Sequence, residues 1–177
     1  LQSYKDMGFA RPDLHRGLRQ GVPEVIYGAG KTPQQIADIS AALLENGQRT
    51  VIITRMNREA AEFAGASLRE SFGLIAAGTE ESGEWVAEAY GQNVFAYDEL
   101  SGIGIAGKMP LPSDVGNIVV ATAGTSDMPV AEEAAKTAEA LGNRVTRLYD
   151  VGVAGIHRLM AQMDTLMSAK VIIAIAG

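Results

Sequence analysis

Hydrophobic positions along this chain fall into short runs, broken by glycine and proline, in which β-like and helix-like patterns alternate. Pro23 to Tyr27 (PEVIY) is a β-branched and aromatic run that stops at Gly28-Ala29-Gly30, which predicts a strand and a glycine turn. Thr32, Pro33 and Gln35 predict the helix start that follows, with Thr as N-cap, Pro at the first helical position and Gln closing a capping box. Ile36, Ile39, Ser40, Leu43 and Leu44 then recur at helical spacing, and Gly47 marks the end. Thr50 to Thr54 (TVIIT) predicts a buried strand, and Asn57 caps a helix running through Phe63 and Leu68. From Gly73 to Ser113 the pattern weakens: residues 74–77, 94–97 and 103–106 read as short strands and 81–90 as a helix. Leu1 to Gln20, with Lys5, Arg11, Arg16 and Arg19, reads as an irregular or partly helical lead-in.

The stretch Lys108 to Gly116 (KMPLPSDVG) disfavours both helix and sheet, and reads as a linker. It divides the chain into an N-terminal α/β domain, 1–113, and a second domain, 114–177. In the second, strands at 117–123, 143–150 and 171–176 alternate with helices at 130–141 and 156–167, the signature of a parallel sheet with crossover helices. The first helix presents Val130, Ala131, Ala134, Ala135, Ala138 and Leu141 on the side expected to meet the sheet, and Glu132, Lys136 and Glu139 on the other. In the second helix Ile156, Leu159, Met160, Met163, Leu166 and Met167 share one stripe, read as core.

Composition narrows the function. At 177 residues the chain is one ordinary domain or two small ones, and its 47% apolar and 20% charged content is that of a folded protein. A net charge of −6 argues against sequence-blind binding of nucleic acid. The chain contains no cysteine, which removes disulfides, thiolate metal sites and thiol nucleophiles from these residues. The apolar run from Val171 to Ala176 is far shorter than the roughly 20 residues of a membrane span, and no secretory signal is visible near Leu1. A cytoplasmic protein without a membrane partner is the expectation. The start at Leu1 and the stop at Gly177 after a strand-like run lead to the further expectation that one or both ends are missing.

Two loops could carry chemistry. Gly124-Thr125-Ser126-Asp127 lies between a strand and a helix, where a tight turn, two hydroxyls and the first helical amides could receive a phosphate; alternatively Ser126 or Asp127 only caps the helix. The equivalent loop after the next strand, Asp150-Val151-Gly152-Val153-Ala154-Gly155-Ile156-His157-Arg158, offers a carboxylate, two glycines, a candidate acid/base in His157 and a candidate anion clamp in Arg158. A structural histidine is the competing reading. Gly28 to Thr32 ends like a nucleotide P-loop, but the glycine required six residues before Lys31 is Val25, so that reading is rejected. His15 and His157 are the only histidines, and no zinc or serine-hydrolase motif occurs.

The run GTSDMPVAEEAAKTAEALGNRVTRLYDVGVAGIHRLM, Gly124 to Met160, closely resembles the LarB family of pyridinium-3,5-biscarboxylic acid mononucleotide synthases of nickel-pincer cofactor biosynthesis. HRGLRQGVPEVIYGAGKTPQQI, His15 to Ile36, resembles the same family's N-terminal region. The second half is also similar to the PurE family of aminoimidazole ribonucleotide carboxylases and mutases, although Met128 replaces that family's tryptophan and the match at Ala154 to Arg158 needs two inserted residues. The resemblance implies a PurE-like, flavodoxin-like three-layer parallel-sheet domain, truncated at its C-terminus and preceded by the smaller α/β domain.

The activity implied is carboxylation of nicotinic acid adenine dinucleotide at pyridinium C5 by CO2 or bicarbonate, with cleavage of the pyrophosphate to release AMP. The family lowers the barrier with a cysteine that adds to the ring and leaves a nucleophilic, enamine-like carbon. That cysteine belongs to a segment following the last strand, so the resemblance implies a missing C-terminal segment. It further implies His157, Asp127 and Asp150 as catalytic residues. Gly124, Thr125, Ser126, Asp127, Val151, Gly152, Gly155, Arg158 and Gly177 are implied to bind substrate, with Arg16, Arg19, Glu24, Tyr27 and Lys31 in a second tier. No covalently bound cofactor or dedicated metal site is implied; Mg2+ is compatible with the phosphate chemistry, and a homo-oligomer is expected. The alternatives are an aminoimidazole ribonucleotide carboxylase or mutase and a noncatalytic nucleotide-binding module.

Overall fold

The computed structural model describes residues 4, 6–10, 13, 23–81 and 83–177. It is a mixed α/β protein whose chain divides into two compact units, Leu1–Pro110 and Leu111–Gly177.

The first unit is built on strands β1 (Val25–Tyr27), β2 (Thr50–Thr54), β3 (Ile75–Ala77), β4 (Asn93–Asp98) and β5 (Ile103–Lys108). Their order is β1-β2-β5-β4-β3. Strand β5 runs antiparallel to both neighbours, while β1 pairs with β2 and β3 with β4 in parallel. Helix α1 (Pro33–Glu45) starts as its sequence predicts, with the Thr32–Gln35 capping box formed, a motif worth about 1 kcal/mol. In helix α2 (Arg58–Phe72) the Asn57 side chain accepts the Ala60 amide at 2.8 Å. Ile36, Ile39 and Leu43 of α1 and Ala60, Ala64 and Leu68 of α2 pack with Val51, Ile53 and Phe95 of the sheet. Gly65 brings α2 close to the sheet, since a Cβ there would lie 2.8 Å from the Phe95 ring. The opposite sheet positions Ile52, Val94, Ala96 and Ile105 are buried as well.

The helix expected over 81–90 does not form. Thr79 bridges Trp85, the Glu80 amide donates to the Glu84 carbonyl, and only Ala87–Ala89 makes a 3-10 turn. Trp85 is buried, and that anchor holds the segment in a shape a continuous helix would not allow. The strands of this weak region do form, as β3, β4 and β5.

The second unit contains β6 (Asn117–Thr122), α3 (Met128–Ala140), β7 (Arg144–Leu148), two short helices α4 (Ile156–Met160) and α5 (Met163–Ser168), and β8 (Val171–Ile175). All three strands are parallel, in the order β7-β6-β8. Ala131 and Ala135 of α3 pack on Val120, with Ile118, Val145, Tyr149, Ile173 and Ile175 around them. The chain then passes from β7 through α4 and α5 across β6 to β8.

Three expectations for this unit need correction. The single helix read over 156–167 is two helices, because the Gln162 amide closes on Leu159 three residues back and tightens the turn. Its apolar stripe is not core: Ile156, Met160 and Met167 are 53%, 59% and 78% exposed, and only Leu159 and Leu166 are half-buried. The three-stranded sheet offers these two short helices too little surface to cover the stripe. On α3 the assignment of faces is also reversed in part. Glu132, Lys136 and Glu139 are buried, while Val130 and Leu141 are exposed.

Candidate functional site

The buried carboxylates of α3 have a local cause. Alternation along β7 puts Val145, Arg147 and Tyr149 on the face that meets α3. Arg147 reaches Glu132 at 3.1 Å and Glu139 at 2.6 Å, with the three side chains 8%, 2% and 6% exposed. The Tyr149 hydroxyl donates to Glu132 at 2.7 Å. Burial by itself would lower the Arg147 pKa, but the hydrogen bonds and charges of Glu139 and Glu132 outweigh it and the net shift is upward. Burial, and then the bond to Glu132, push the Tyr149 phenol up. This cluster fixes the end of β7, from which the second loop departs.

The strand order places β6 between β7, which follows it in sequence, and β8, which comes later. Connections leave such a sheet in opposite directions on either side of the boundary between β6 and β8, and ligands of doubly wound sheets sit beyond the strand ends at this kind of switch point. Gly124-Thr125-Ser126-Asp127 occupies the carboxyl end of β6, with Thr125–Asp127 as a 3-10 turn leading into α3. The Asp127 carboxylate folds back and accepts the Gly124 amide at 3.2 Å. Asp127 therefore caps its own loop. The amides of Thr125 and Ser126, at the first positions of the turn, have no acceptor among the described residues.

The second loop docks on the same strand end. The amides of Asp150, Val151 and Gly152 donate in turn to the Thr122 hydroxyl (3.1 Å), the Thr122 carbonyl (3.0 Å) and the Ala123 carbonyl (3.1 Å). Gly152 has no room for a side chain, since a Cβ would lie 2.5 Å from the Ala123 oxygen. Asp150 is left-handed, with φ 58°, and its carboxylate pairs with Arg158 from α4. Leu148, Asp150, Val151, Arg158, Ala161 and Gln162, with Arg147 and Tyr149, line a cavity of about 440 Å3 open to solvent.

Of the residues singled out from the sequence, the structure thus joins Asp150 to Arg158 and brings Gly152 onto the strand end that continues into Gly124. His157 is exposed, and its imidazole has no partner among the described residues. Gly155 is buried at the start of α4, and Gly177 is exposed beyond β8. Glu24, Tyr27 and Lys31 belong to the first unit. Tyr27 is exposed, the Glu24 amide is held by Gln48, and the Lys31 ammonium donates to the Tyr27 carbonyl at 2.6 Å, closing its own turn. Arg16 and Arg19 lie outside the described residues. Sequence reasoning missed Thr122, Arg147 and Tyr149. The signal for the last two was their alternation with Val145 along β7, opposite Glu132 and Glu139 two helical turns apart.

Among the described residues no cluster of three or more His, Asp or Glu side chains could hold a metal ion. No helix there is long and apolar enough to cross a membrane.

The fold and these loops define an α/β protein with an amide-bearing glycine corner at the end of a parallel strand, and comparison with known proteins adds to this. Residues 4–73 match the LarB/PurE-like N-terminal domain. This match covers the N-terminal part of the chain, which is similar to that family. The chain is also 32% identical over 167 residues to an uncharacterized protein of Methanocaldococcus jannaschii, an alignment covering 93% of this chain and 58% of that relative.

Proposed function

We propose that this chain supplies the phosphate-binding and ring-binding surfaces of an enzyme that carboxylates nicotinic acid adenine dinucleotide at pyridinium C5 and hydrolyses its phosphoanhydride. The products are pyridinium-3,5-biscarboxylic acid mononucleotide and AMP. The observation that carries this reading is the pair of open amides at Thr125 and Ser126, set at the switch point of a parallel sheet where a phosphate is favoured. The match of residues 4–73 supports the family, and the parallel order β7-β6-β8 supports a PurE-like, flavodoxin-like second domain.

In this reading the two amides and the positive end of α3 hold a phosphate of the dinucleotide. Arg158, kept in place by Asp150, faces the incoming CO2 or bicarbonate. His157 accepts the proton that C5 loses as the new carbon–carbon bond forms. Water divides the phosphoanhydride: its oxygen stays on one phosphorus, and AMP departs. The family's ring-activating cysteine has no counterpart in these 177 residues, so that step is assigned to none of them. Mg2+ at the phosphates, a homo-oligomer and a cytoplasmic setting belong to the same reading.

The test is to incubate the whole gene product with nicotinic acid adenine dinucleotide and 13C-bicarbonate. AMP release with one 13C in the mononucleotide is expected, and no AMP above a blank overturns the proposal. Turnover of aminoimidazole ribonucleotide in its place would move the chain to the purine-pathway reading.

A further inference from the structure

We infer that Thr122, the last residue of β6, is a positioning residue of the site: its hydroxyl holds Asp150 in the left-handed conformation that aims the carboxylate at Arg158. This inference rests on the reading of Asp150 and Arg158 as site residues. Thr122 is 1% exposed, at the end of a strand whose preceding four residues, Ile118 to Ala121, are apolar. A buried hydroxyl needs a partner, and here it accepts the Asp150 amide at 3.1 Å while the backbone carbonyl of the same residue accepts Val151 at 3.0 Å. With the Gly152 amide on the Ala123 carbonyl, three successive amides of the second loop are docked on the last residue of β6 and the residue after it, and only the Asp150 amide is held through a side chain.

Asp150 is also the residue of that loop with an unfavourable backbone. Its φ of 58° lies where side chains are strained and glycine is at ease. Glycine at 150 would serve a purely structural turn better. What the strain preserves is a carboxylate, and that carboxylate is paired with Arg158 from the opening of α4. The Thr122 hydroxyl thus connects the β6 end, which continues into Gly124, to the charged pair of the second loop. Removing it leaves the fold's apolar contacts in place and releases the posture of Asp150.

The experiment compares the whole protein with Thr122→Val, which keeps the shape and removes the hydroxyl, and Thr122→Ser, which restores it. Three readouts are followed: amide exchange at residue 150, exchange of the Arg158 guanidinium protons, and affinity for nicotinic acid adenine dinucleotide by calorimetry. In Thr122→Val, exchange at Asp150 and at Arg158 is expected to rise by up to about tenfold, the equivalent of one hydrogen bond, and affinity to fall. Thr122→Ser should recover all three. Unchanged exchange at either residue in a folded Thr122→Val protein overturns the inference, as does unchanged affinity despite faster exchange. If the wild-type protein binds no dinucleotide, the substrate reading fails by itself, and the two exchange measurements still decide whether Thr122 sets the Asp150–Arg158 pair.

Discussion

Two corners of this molecule share a local pattern and spend it differently. After β1, Gly28-Ala29-Gly30-Lys31 leads to Thr32 and Pro33 at the head of α1; after β6, Gly124-Thr125-Ser126-Asp127 leads to Met128 and Pro129 at the head of α3. In the first corner side chains close the head of the helix. Gln35 accepts the Thr32 amide at 2.9 Å, Thr32 accepts the Gln35 amide at 3.2 Å, and Lys31 bonds back to Tyr27. In the second, Asp127 takes only the Gly124 amide, and those of Thr125 and Ser126 have no acceptor among the described residues. A glycine turn before a helix is therefore not a binding site in itself; what matters is how many amides its own side chains consume.

The two units differ in their charges as well, and this sets the largest expected effect. Replacing Arg147 by Leu takes the pairing guanidinium away from the buried carboxylates of Glu132 and Glu139, and should cost about 3–5 kcal/mol in urea unfolding of the whole protein. The Arg58–Glu99 pair of the first unit is exposed and screened by solvent, so Arg58→Leu should change stability far less. Equal costs would show that the α3 cluster is not the buried network described.

The corners themselves can be made alike. Ser126→Asp places a second carboxylate against the open amides, as Thr32 and Gln35 close the first corner, and should weaken nucleotide binding at least about tenfold through capping and charge repulsion. Calorimetry with nicotinic acid adenine dinucleotide and with AMP reads this, and unchanged affinity would place the phosphate elsewhere. The reciprocal change is smaller. Thr32→Ala should cost about 1 kcal/mol of stability by thermal unfolding and leave nucleotide affinity untouched, since those amides serve only the helix.

Much of this was legible in the residues because capping and turn chemistry act over four positions. Thr32, Asn57 and Gln35 announced their helices, and the alternation after residue 116 announced a parallel sheet. The region around Trp85 was not legible, because its shape depends on a bridge from Thr79 and on burial of the indole. At the site, Asp150, Arg158 and the Gly124 loop stood out by residue type. Thr122 did not, since a threonine ending a strand is ordinary until a distant amide is seen on its hydroxyl.

By itself, then, the amino-acid sequence determined the elements whose signals are local: strand runs, helix caps, the glycine turns and the charged residues available at them. Only the tertiary structure decided that β5 inserts antiparallel between β2 and β4, that the polar side of α3 is buried on Arg147, and that the methionine stripe of α4 and α5 is exposed. Those outcomes depend on which surface each element meets. Periodicity gives an element two faces, and the partners across space choose between them.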